Sequence, residues 1–355
     1  MSGHAGGGGH GPASGRRVGG ESRFVVPRFR SSLVPRISSQ AVSRGLAQEN
    51  QASSGRTATA RKAGVEVEGA RPARPVVLRE VPRESRSCEP VLKWAGGKAR
   101  LLPEIVKRLP SRKLWTGGYF EPFVGGAAVF FHLVPAHARL SDWNPELVHL
   151  YTVIRDDVEG LIADLGRHMH DRTYYYAVRA IDPETLSPIE RASRTIFLNR
   201  TCFNGLYRVN QRGLFNVPFG KYDNPTLCPT DRLRAAARAL EGVSIAQGDF
   251  EAAVAEAKRG DFVYFDPPYV PLTPTASFTN YTSSSFGVEA QRRLAQVFTD
   301  LGKRGVRCLL SNSDTPLVRE LYAGHHIDGV LAPRAISRDG EGRKAVGEVL
   351  VRNYA

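Results

Sequence analysis

The residues with the clearest chemical potential lie in the stretch 261–269, which has the sequence DFVYFDPPY. Its apolar residues, 262–265, are typical of a short buried strand in a parallel sheet. Two prolines follow Asp266 and end the strand, because proline fixes φ and donates no backbone hydrogen bond. The Asp266 carboxylate, the Pro267 carbonyl and the ring of Tyr269 can then bind a planar base that carries an amine. The alternative is an ordinary strand end with a Pro-Pro turn, so other segments must decide.

A glycine turn nearer the N-terminus offers a second set of ligand-binding groups. The segment VLKWAGGKARLLPEIVKRLP places Lys93, Trp94 and Lys98 around Gly96 and Gly97, and it continues as an amphipathic helix. Glycines let the backbone approach a ligand, and Lys98 can meet a carboxylate or a phosphate. Alone this signal is weak, because a lysine after two glycines is common.

The next two segments favour a nucleoside site. YFEPFVGGAAVFFHL predicts a strand, a tight turn at Gly125 and Gly126, and a helix from about Ala127. It is not the G-x-G-x-x-G fingerprint and has no P-loop lysine, which disfavours NAD and ATP. In RLSDWNPELVHLY, Asp142 ends a second strand, where an acid accepts hydrogen bonds from ribose hydroxyls. The alternative for Asp142 is an N-cap of the helix that begins near Pro145.

The middle of the chain has a different pattern. Helical stretches around 145–170 and 173–200 lead into RTCFNGLYRVNQRGLFNVPFGKYDNP, and the turn at 211–213 predicts a β-hairpin. Basic residues and amides interleaved with aromatic residues suit contacts with phosphates, base edges and an unstacked helix step. The alternative is a small satellite core with exposed arginines.

The rest of the chain alternates between predicted strands and helices, which implies a mostly parallel, right-handed α/β sheet. The last two strands are predicted to form an antiparallel hairpin at the sheet edge. In order we predict a helix at 231–241, a strand that ends at Asp249, a helix at 251–258, the Asp266 strand, a polar loop at 273–285, a helix at 287–304, a strand at 306–313, a helix at 316–322, and strands at 326–336 and 344–352.

Charge is unevenly distributed along the 355 residues, whose formal net charge is +14. Residues 1–88 hold 15 basic and 6 acidic side chains, or +9, which leaves +5 for the other 267 residues. A basic balance favours a polyanionic partner such as nucleic acid. The leader, 1–88, is rich in Gly, Ser, Ala and Arg without an apolar period, and we predict that it is disordered. It also resembles an organellar transit peptide, although a dispensable extension or an incorrectly assigned start site is the simpler alternative.

Other classes of protein are disfavoured by what the sequence lacks. The four cysteines are widely spaced without metal-ligand partners, so neither a disulfide framework nor a zinc site is indicated. No run is long enough to span a membrane, and no secretory signal is present. We therefore expect a cytoplasmic enzyme.

Seven segments in this order resemble the DNA adenine methylase (Dam) family over about residues 90–353. The family comprises S-adenosylmethionine-dependent amino-methyltransferases, here with the alpha-group order in which the cofactor loop comes first and DPPY last. The segments are KWAGGK at 93–98, EPFVGGAAVFF at 121–131, SDWNPEL at 141–147, NGLYRVN with FNVPFG within 204–220, GDF at 248–250, DPPY at 266–269 and SNSDTP at 311–316.

The resemblance implies a Rossmann-like, seven-stranded methyltransferase sheet of class α/β. It also implies an inserted DNA-recognition domain made of helices and a β-hairpin. The expected division is a leader at 1–88, a catalytic domain at 89–144 and 232–355, and the recognition insertion at 145–231. S-adenosylmethionine is the expected cofactor, without a metal, and double-stranded DNA is the expected partner. We expect a monomer that acts on DNA in the cytoplasm and does not associate with membranes.

The resemblance also assigns roles to residues. The catalytic positions are Asp266, Pro267 and Tyr269. The cofactor-binding positions are Trp94, Lys98, Asp142, Asp249, Phe250 and Asp266, and the DNA-binding positions are Lys93, Phe203, Asn204, Leu206, Arg208, Lys221 and Tyr222. Phe203 lies where an aromatic wedge can enter the base stack. Lys221 stands where the family pattern leads us to expect arginine, and lysine cannot make the same rigid fork to guanine.

The expected reaction is methylation of the amino group of an adenine flipped out of the duplex, within GATC. The aspartate before the prolines favours adenine over cytosine, whose amino-methyltransferases typically have serine there. Two alternatives are a DNA-binding protein that has lost activity and an amino-methyltransferase acting on RNA or protein. The sequence leaves open whether the enzyme is paired with a restriction endonuclease or acts alone.

Overall fold

The computed structural model describes residues 88–272, 286–332 and 346–355. The predicted disordered leader, as far as residue 87, and the predicted polar loop 273–285 lie outside them. Seven strands form one sheet: β1 (Tyr119–Glu121), β2 (Ala138–Asp142), β3 (Ser244–Gln247), β4 (Phe262–Phe265), β5 (Arg307–Ser313), β6 (His326–Ala332) and β7 (Val346–Arg352). Their order across the sheet is β3-β2-β1-β4-β5-β7-β6.

The sheet confirms the predicted Rossmann-like α/β fold class. Strands β3, β2, β1, β4 and β5 are parallel, whereas β7 is antiparallel to both β5 and β6. The strand order reverses between β1 and β4, and in such sheets the crevice beyond the carboxyl ends of the strands at that point binds ligands. Asp142 and Asp266 lie at the carboxyl ends of β2 and β4, on the same edge of the sheet.

Helices connect the strands, mostly at the predicted places. They are α1 (Leu102–Lys107), α2 (Ala128–Leu133), α3 (Pro145–Asp156), α4 (Val158–Leu165), α5 (Arg172–Ala180), α6 (Pro188–Thr201), α7 (Thr230–Leu240), α8 (Phe250–Ala253), α9 (Val288–Lys303) and α10 (Pro316–Leu321). The helical stretches predicted around 145–170 and 173–200 are present, and each contains two helices. Asp157 leaves the helical region and caps α4 through Gly160 N, and the segment between α5 and α6 contains Pro183 and ends in the capping box of Ser187 and Glu190.

Two further local predictions need correction. Strand β3 ends at Gln247, so Asp249 does not end a strand; it caps α8, which is much shorter than the predicted helix 251–258. The predicted hairpin around 211–213 is only partly formed. Antiparallel bridges join Val209 to Phe215 and Cys202 to Phe219, and this described segment has no continuous strands, since its aromatic side chains pack against α5 and α6 in a small core.

Two apolar cores cover the two faces of the sheet. All four residues of β4 are buried, and alternate side chains of a strand point to opposite faces. Phe262 and Tyr264 accordingly belong to one core, and Val263 and Phe265 belong to the other. Burial of apolar surface stabilises the fold by about 25 cal/mol per Å². Because β4 is buried on both faces, it is a rigid support for the Asp266 carboxylate that follows it.

Candidate active site

Asp266 lies directly beyond β4 and is held by two donors on the same oxygen. Lys98 Nζ is 2.7 Å from Asp266 Oδ1, and Ser311 Oγ donates to Oδ1 at 2.9 Å. Lys98 is only 7% exposed, and its ammonium also donates to the Gly96 carbonyl at 2.6 Å. Burial raises the pKa of Asp266 above its ordinary value, and the charge and hydrogen bond of Lys98 and the hydrogen bond of Ser311 oppose this rise. The sequence predicted that Lys98 can meet a carboxylate or a phosphate, and the structure shows that its carboxylate partner is Asp266.

Tyr269 is fixed beside the same groups. Its hydroxyl donates to Glu348 Oε2 at 2.8 Å, and Lys98 Nζ is 4.7 Å from the centroid of its ring. Pro267 is buried and Pro268 is exposed. A half-buried aromatic ring therefore stands next to the Asp266 carboxylate, as a stacking surface for a planar base requires.

Two buried amide side chains, which sequence reasoning missed, hold the DPPY loop in place. Asn312 Oδ1 accepts from Val270 N at 3.0 Å, and Asn312 Nδ2 donates to Gln291 Oε1 at 3.1 Å. Gln291 Nε2 then donates to the Pro268 carbonyl at 2.9 Å. The only available signal was an amide inside the apolar strand β5 and another on the apolar face of α9.

The second glycine turn is tied to Asp142. Gly125 N donates to Asp142 Oδ2 and Asn144 N donates to Oδ1, each at 2.9 Å. Burial raises the pKa of Asp142, and these backbone hydrogen bonds oppose the rise. The N-cap of α3 is Asn144, which accepts from Glu146 N, so the alternative N-cap role for Asp142 was wrong.

Trp94 lies over this turn, and its contacts explain both glycines. A Cβ added at Gly126 would lie 3.0 Å from the Cβ of Trp94, and one at Gly125 would lie 3.2 Å from the indole ring. Gly125 also has φ +46°, a region that side chains disfavour. On another side the indole meets Tyr207, with ring centroids 5.2 Å apart. Trp94 thus contacts both the turn and the segment that follows α6.

Asp249 and Phe250 lie beyond the end of β3. Asp249 Oδ2 is 2.5 Å from Arg293 Nη2, and the Arg293 guanidinium is 4.4 Å from the centroid of the Phe250 ring. Phe250 is buried and stacks on Phe123. Its ring is part of the core, and the predicted contact of this segment with a nucleoside stays a prediction.

Trp143, which sequence reasoning missed, is 66% exposed directly after Asp142, and an aromatic residue after a strand-end acid was the available signal.

Glu121 lies at the end of β1, as Asp142 and Asp266 lie at the ends of β2 and β4. Sequence reasoning had missed it. It ends β1 and is 2% exposed, and its Oε2 accepts from the Tyr119 hydroxyl at 2.8 Å. Burial raises the pKa of Glu121 to about 8, the Tyr119 hydrogen bond opposes the rise, and the charge of Asp266 adds to it. The available signal was an acid at the end of an apolar strand, in YFEPF.

Lys93, one of the predicted DNA-binding residues, is held by Asn199 of α6 and lies against Tyr222. Lys93 N donates to Asn199 Oδ1 at 2.9 Å, and Asn199 Nδ2 donates to the carbonyls of Lys93 at 2.7 Å and Gly205 at 3.0 Å. Lys93 Nζ lies 4.1 Å from the centroid of the Tyr222 ring. A Cβ on Gly205 would lie 2.5 Å from Lys93 Cβ, so this close approach requires glycine. The first glycine turn and the segment after α6 are therefore in direct contact.

The other predicted DNA-binding residues lie on the same segment. Phe203 is 50% exposed, and Asn204 has φ 55°, which turns the chain sharply after it. Arg208 Nε donates to Asn216 Oδ1 at 2.6 Å across the partly formed hairpin. Leu206 is half-buried and Lys221 is exposed.

Comparisons with known proteins agree with the expected family. Residues 94–336 match the family model described as D12 class N6 adenine-specific DNA methyltransferase. The chain is 41% identical over 276 residues to the Type II methyltransferase M1.LlaDCHI of Lactococcus lactis subsp. cremoris, covering 76% of this chain and 96% of that protein. It is 37% identical over 267 residues to the DNA adenine methylase of Haemophilus influenzae, covering 74% of this chain and 92% of that protein.

A solved structure, the rRNA methyltransferase aviRa from Streptomyces viridochromogenes, covers 78% of this chain and 94% of its own, with 16% identity and a TM-score of 0.29. A score this low supports no argument. In the part of the chain that the structure describes, no helix is long and apolar enough to cross a membrane.

Proposed function

The chain belongs to the family of D12 class N6 adenine-specific DNA methyltransferases, and we propose that it methylates an adenine flipped out of double-stranded DNA, with S-adenosylmethionine as the methyl donor. The observation that supports this most directly is the Asp266 carboxylate, held by Lys98 and Ser311 beside the ring of Tyr269. An exocyclic amine needs oxygen acceptors and an aromatic surface in one place, and this strand end supplies both.

The residues around the second glycine turn fit S-adenosylmethionine. The half-buried Asp142 carboxylate would accept from the ribose hydroxyls beside the Gly125 turn that it fixes, and Trp94, which packs on Gly125 and Gly126, would lie against the cofactor. Lys98 would bind the carboxylate of the methionine portion in addition to Asp266. Asp249 and Phe250 would contact the adenine of the cofactor.

Asp266 and the Pro267 carbonyl would accept hydrogen bonds from the adenine amino group and so direct its lone pair. When bound, the cofactor supplies a methyl group on a sulfonium. The lone pair directed by Asp266 and Pro267 would form the new bond to the methyl carbon, and the electron pair of the carbon–sulfur bond would stay on sulfur. The amino group then has an extra proton, which the Asp266 carboxylate is placed to accept. The catalysis of this chain thus rests on proximity and electrostatics.

We assign DNA recognition to residues 145–231 and methyl transfer to 89–144 and 232–355. The separate apolar core around Tyr175, Phe197 and Phe215 supports independent packing for the later part of this insertion, whereas the buried residues of α3 and α4 belong to the core of the sheet. Lys93, Asn204, Leu206, Arg208, Lys221 and Tyr222 would contact the duplex, and Phe203, half exposed, would enter the stack where the adenine leaves it. GATC is the proposed target, from the resemblance to the DNA adenine methylase family. One relative is named a Type II methyltransferase, so pairing with a restriction endonuclease is also open to test.

The test is base-resolved, methylation-sensitive sequencing of plasmid DNA from cells that lack adenine methylation and express the chain. We expect N6-methyladenine at one short motif with the wild type and none with Asp266→Ala. The matched control is Asp300→Ala, which removes an exposed carboxylate that pairs with Lys303 on α9 and should leave methylation unchanged. Purified Asp266→Ala should still bind the target duplex. Substantial turnover by Asp266→Ala would show that the proposed site is wrong.

A further inference from the structure

Glu121 is a buried carboxyl for which the proposed reaction has no use. It ends β1, the parallel neighbour of β4, so it lies on the same edge of the sheet as Asp266. It is 2% exposed and accepts a hydrogen bond from Tyr119 at 2.8 Å, which fixes the carboxyl at this edge of the sheet. An isolated charge in such a place is costly unless it is paired.

Lys98 interacts electrostatically with both carboxyl groups but binds only one of them. Its charge acts on Glu121 and on Asp266, yet its ammonium lies 2.7 Å from Asp266 Oδ1. Two nearby carboxyls with one cation cannot both ionise easily, and the proton stays on the one that is buried without the cation. Burial raises the pKa of Glu121 to about 8, which agrees with this division.

We propose that Glu121 is a positioning residue: it remains an uncharged acid during methyl transfer and thereby leaves the Lys98 ammonium on Asp266. This inference rests on the proposed function. Ionisation of Glu121 would place a second carboxylate in competition for Lys98, move the ammonium away from Asp266, and disturb the acceptor that orients the adenine amine. The methylation rate should therefore fall on the alkaline side as Glu121 loses its proton.

The other groups that face Glu121 do not titrate in the same range. Tyr119 on β1, Tyr264 on β4 and Tyr151 on α3 are fully buried, and burial raises the pKa of each phenol well above its ordinary value of 10.0. A backbone hydrogen bond from Phe130 of α2 opposes the rise in the pKa of Glu121. Asp266 and Lys98 are the remaining charged groups around it.

The test is the pH dependence of single-turnover methylation, measured from pH 6.5 to 9.5 with unmethylated plasmid DNA and saturating S-adenosylmethionine. We expect the wild-type rate to fall above about pH 8, by about tenfold for each further pH unit. Glu121→Gln is an uncharged isostere that cannot ionise, so it should retain a rate close to wild type at pH 7 and lose the alkaline fall. Melting temperature and binding of S-adenosylhomocysteine check that the variant is folded.

Tyr119→Phe provides a second, independent variant. The Tyr119 hydrogen bond lowers the pKa of Glu121, so its removal should move the alkaline fall to higher pH while the aromatic packing stays. An unchanged fall in either variant would overturn the proposal, as would a folded, ligand-binding Glu121→Gln that is inactive at pH 7. A wild type that methylates no adenine at any pH would overturn the proposed function, and this inference with it. A wild type that methylates adenine, with the same alkaline fall in rate as the two variants, would overturn the inference alone.

Discussion

Ser311 connects the proposed catalytic carboxylate to the core of the sheet. Its hydroxyl donates to Asp266 Oδ1 at 2.9 Å and lies 3.0 Å from the buried Tyr264 hydroxyl. A hydrogen bond to a charged group contributes about 1.5–3 kcal/mol, and this one also fixes which carboxylate oxygen is occupied. We expect Ser311→Ala to slow single-turnover methylation by roughly ten- to a hundredfold, while the Kd for S-adenosylhomocysteine stays close to wild type.

The matched control for Ser311→Ala is Ser141→Ala on β2. The Ser141 hydroxyl is buried and has no hydrogen-bond partner in the described part of the chain, so its removal should leave the rate unchanged. Equal rates for wild type and Ser311→Ala would mean that Lys98 alone positions Asp266.

At the residue scale, the groups that the sequence predicted are those whose chemistry is visible in one short segment. Asp266 and Tyr269 stand together in DPPY, and Lys98 follows a glycine turn. Glu121 and Gln291 were missed because their roles come from contacts made by folding. Glu121 lies on the same sheet edge as Asp266 only because β1 and β4 are neighbours, and Gln291 reaches the Pro268 carbonyl from α9, which follows residue 285 in the sequence.

At the scale of elements, Asn199 of α6 joins the segment that begins the described chain to the turn after α6. Its fully buried amide makes three hydrogen bonds, two with the backbone of Lys93 and one with the Gly205 carbonyl. Each buried group left unpaired costs roughly 1–3 kcal/mol. We expect Asn199→Ala to lower the free energy of unfolding by about 3 kcal/mol and to weaken binding of the DNA duplex, measured by urea unfolding and fluorescence anisotropy.

Asn199→Asp separates the two kinds of hydrogen bond in this contact. It keeps the acceptor for Lys93 N but places a buried carboxylate oxygen against the Lys93 and Gly205 carbonyls, so its free energy of unfolding should be no higher than that of Asn199→Ala. A wild-type value for Asn199→Ala would contradict the role of Asn199 as a link between the two segments.

His168, between α4 and α5, gives the stability of this region a predictable pH dependence. Its ring stacks on Phe197 at 4.4 Å and lies 2.9 Å from the Tyr174 hydroxyl and 3.0 Å from the Ser193 hydroxyl. Burial lowers the pKa of His168 in the folded chain below its ordinary value of 6.5. Because the unfolded chain then binds the proton more readily, the stabilisation is present above pH 6.5 and is lost as pH falls toward the lowered value.

We therefore expect the urea midpoint of wild type to fall between pH 7.5 and pH 5.5 by more than that of His168→Gln. Burial also lowers the pKa of His325, so His168→Gln should keep a smaller pH dependence rather than none. Identical pH dependences for the two proteins would show that His168 does not titrate differently on folding.

Elements were predictable where hydrophobic periodicity decides them and less so where caps and tertiary packing decide. The β2, β4 and β5 strands and α9 lie where the apolar pattern placed them. The breaks within the predicted helical stretches, at Asp157 and near Pro183, depend on local capping, which hydrophobic periodicity does not register. The hairpin around 211–213 is shortened because its aromatic residues pack against α5 and α6 instead of lying in regular strands.

At the scale of the whole molecule, charge and fold occupy different parts of the chain. Residues 1–88 contain 15 basic and 6 acidic side chains, which is +9 of the total net charge of +14. The family match, however, begins at residue 94. The groups proposed to select the target, such as Arg208 and Lys221, lie after α6. This separation predicts that affinity and specificity respond to different truncations, since phosphate contacts contribute affinity without sequence information.

Removal of residues 1–85 should therefore leave the methylated motif unchanged and lower the salt dependence of DNA binding. The slope of log K against log salt is about −0.9 for each phosphate neutralised, so a leader that contacts DNA makes the slope of the full chain steeper than that of the truncated one. The measurement is duplex binding over a range of NaCl concentrations, with sequencing of the methylated motif in parallel. Equal slopes would show that the leader contributes no phosphate contacts, whereas a changed motif would mean that target selection extends into the leader and is not confined to the residues after α6.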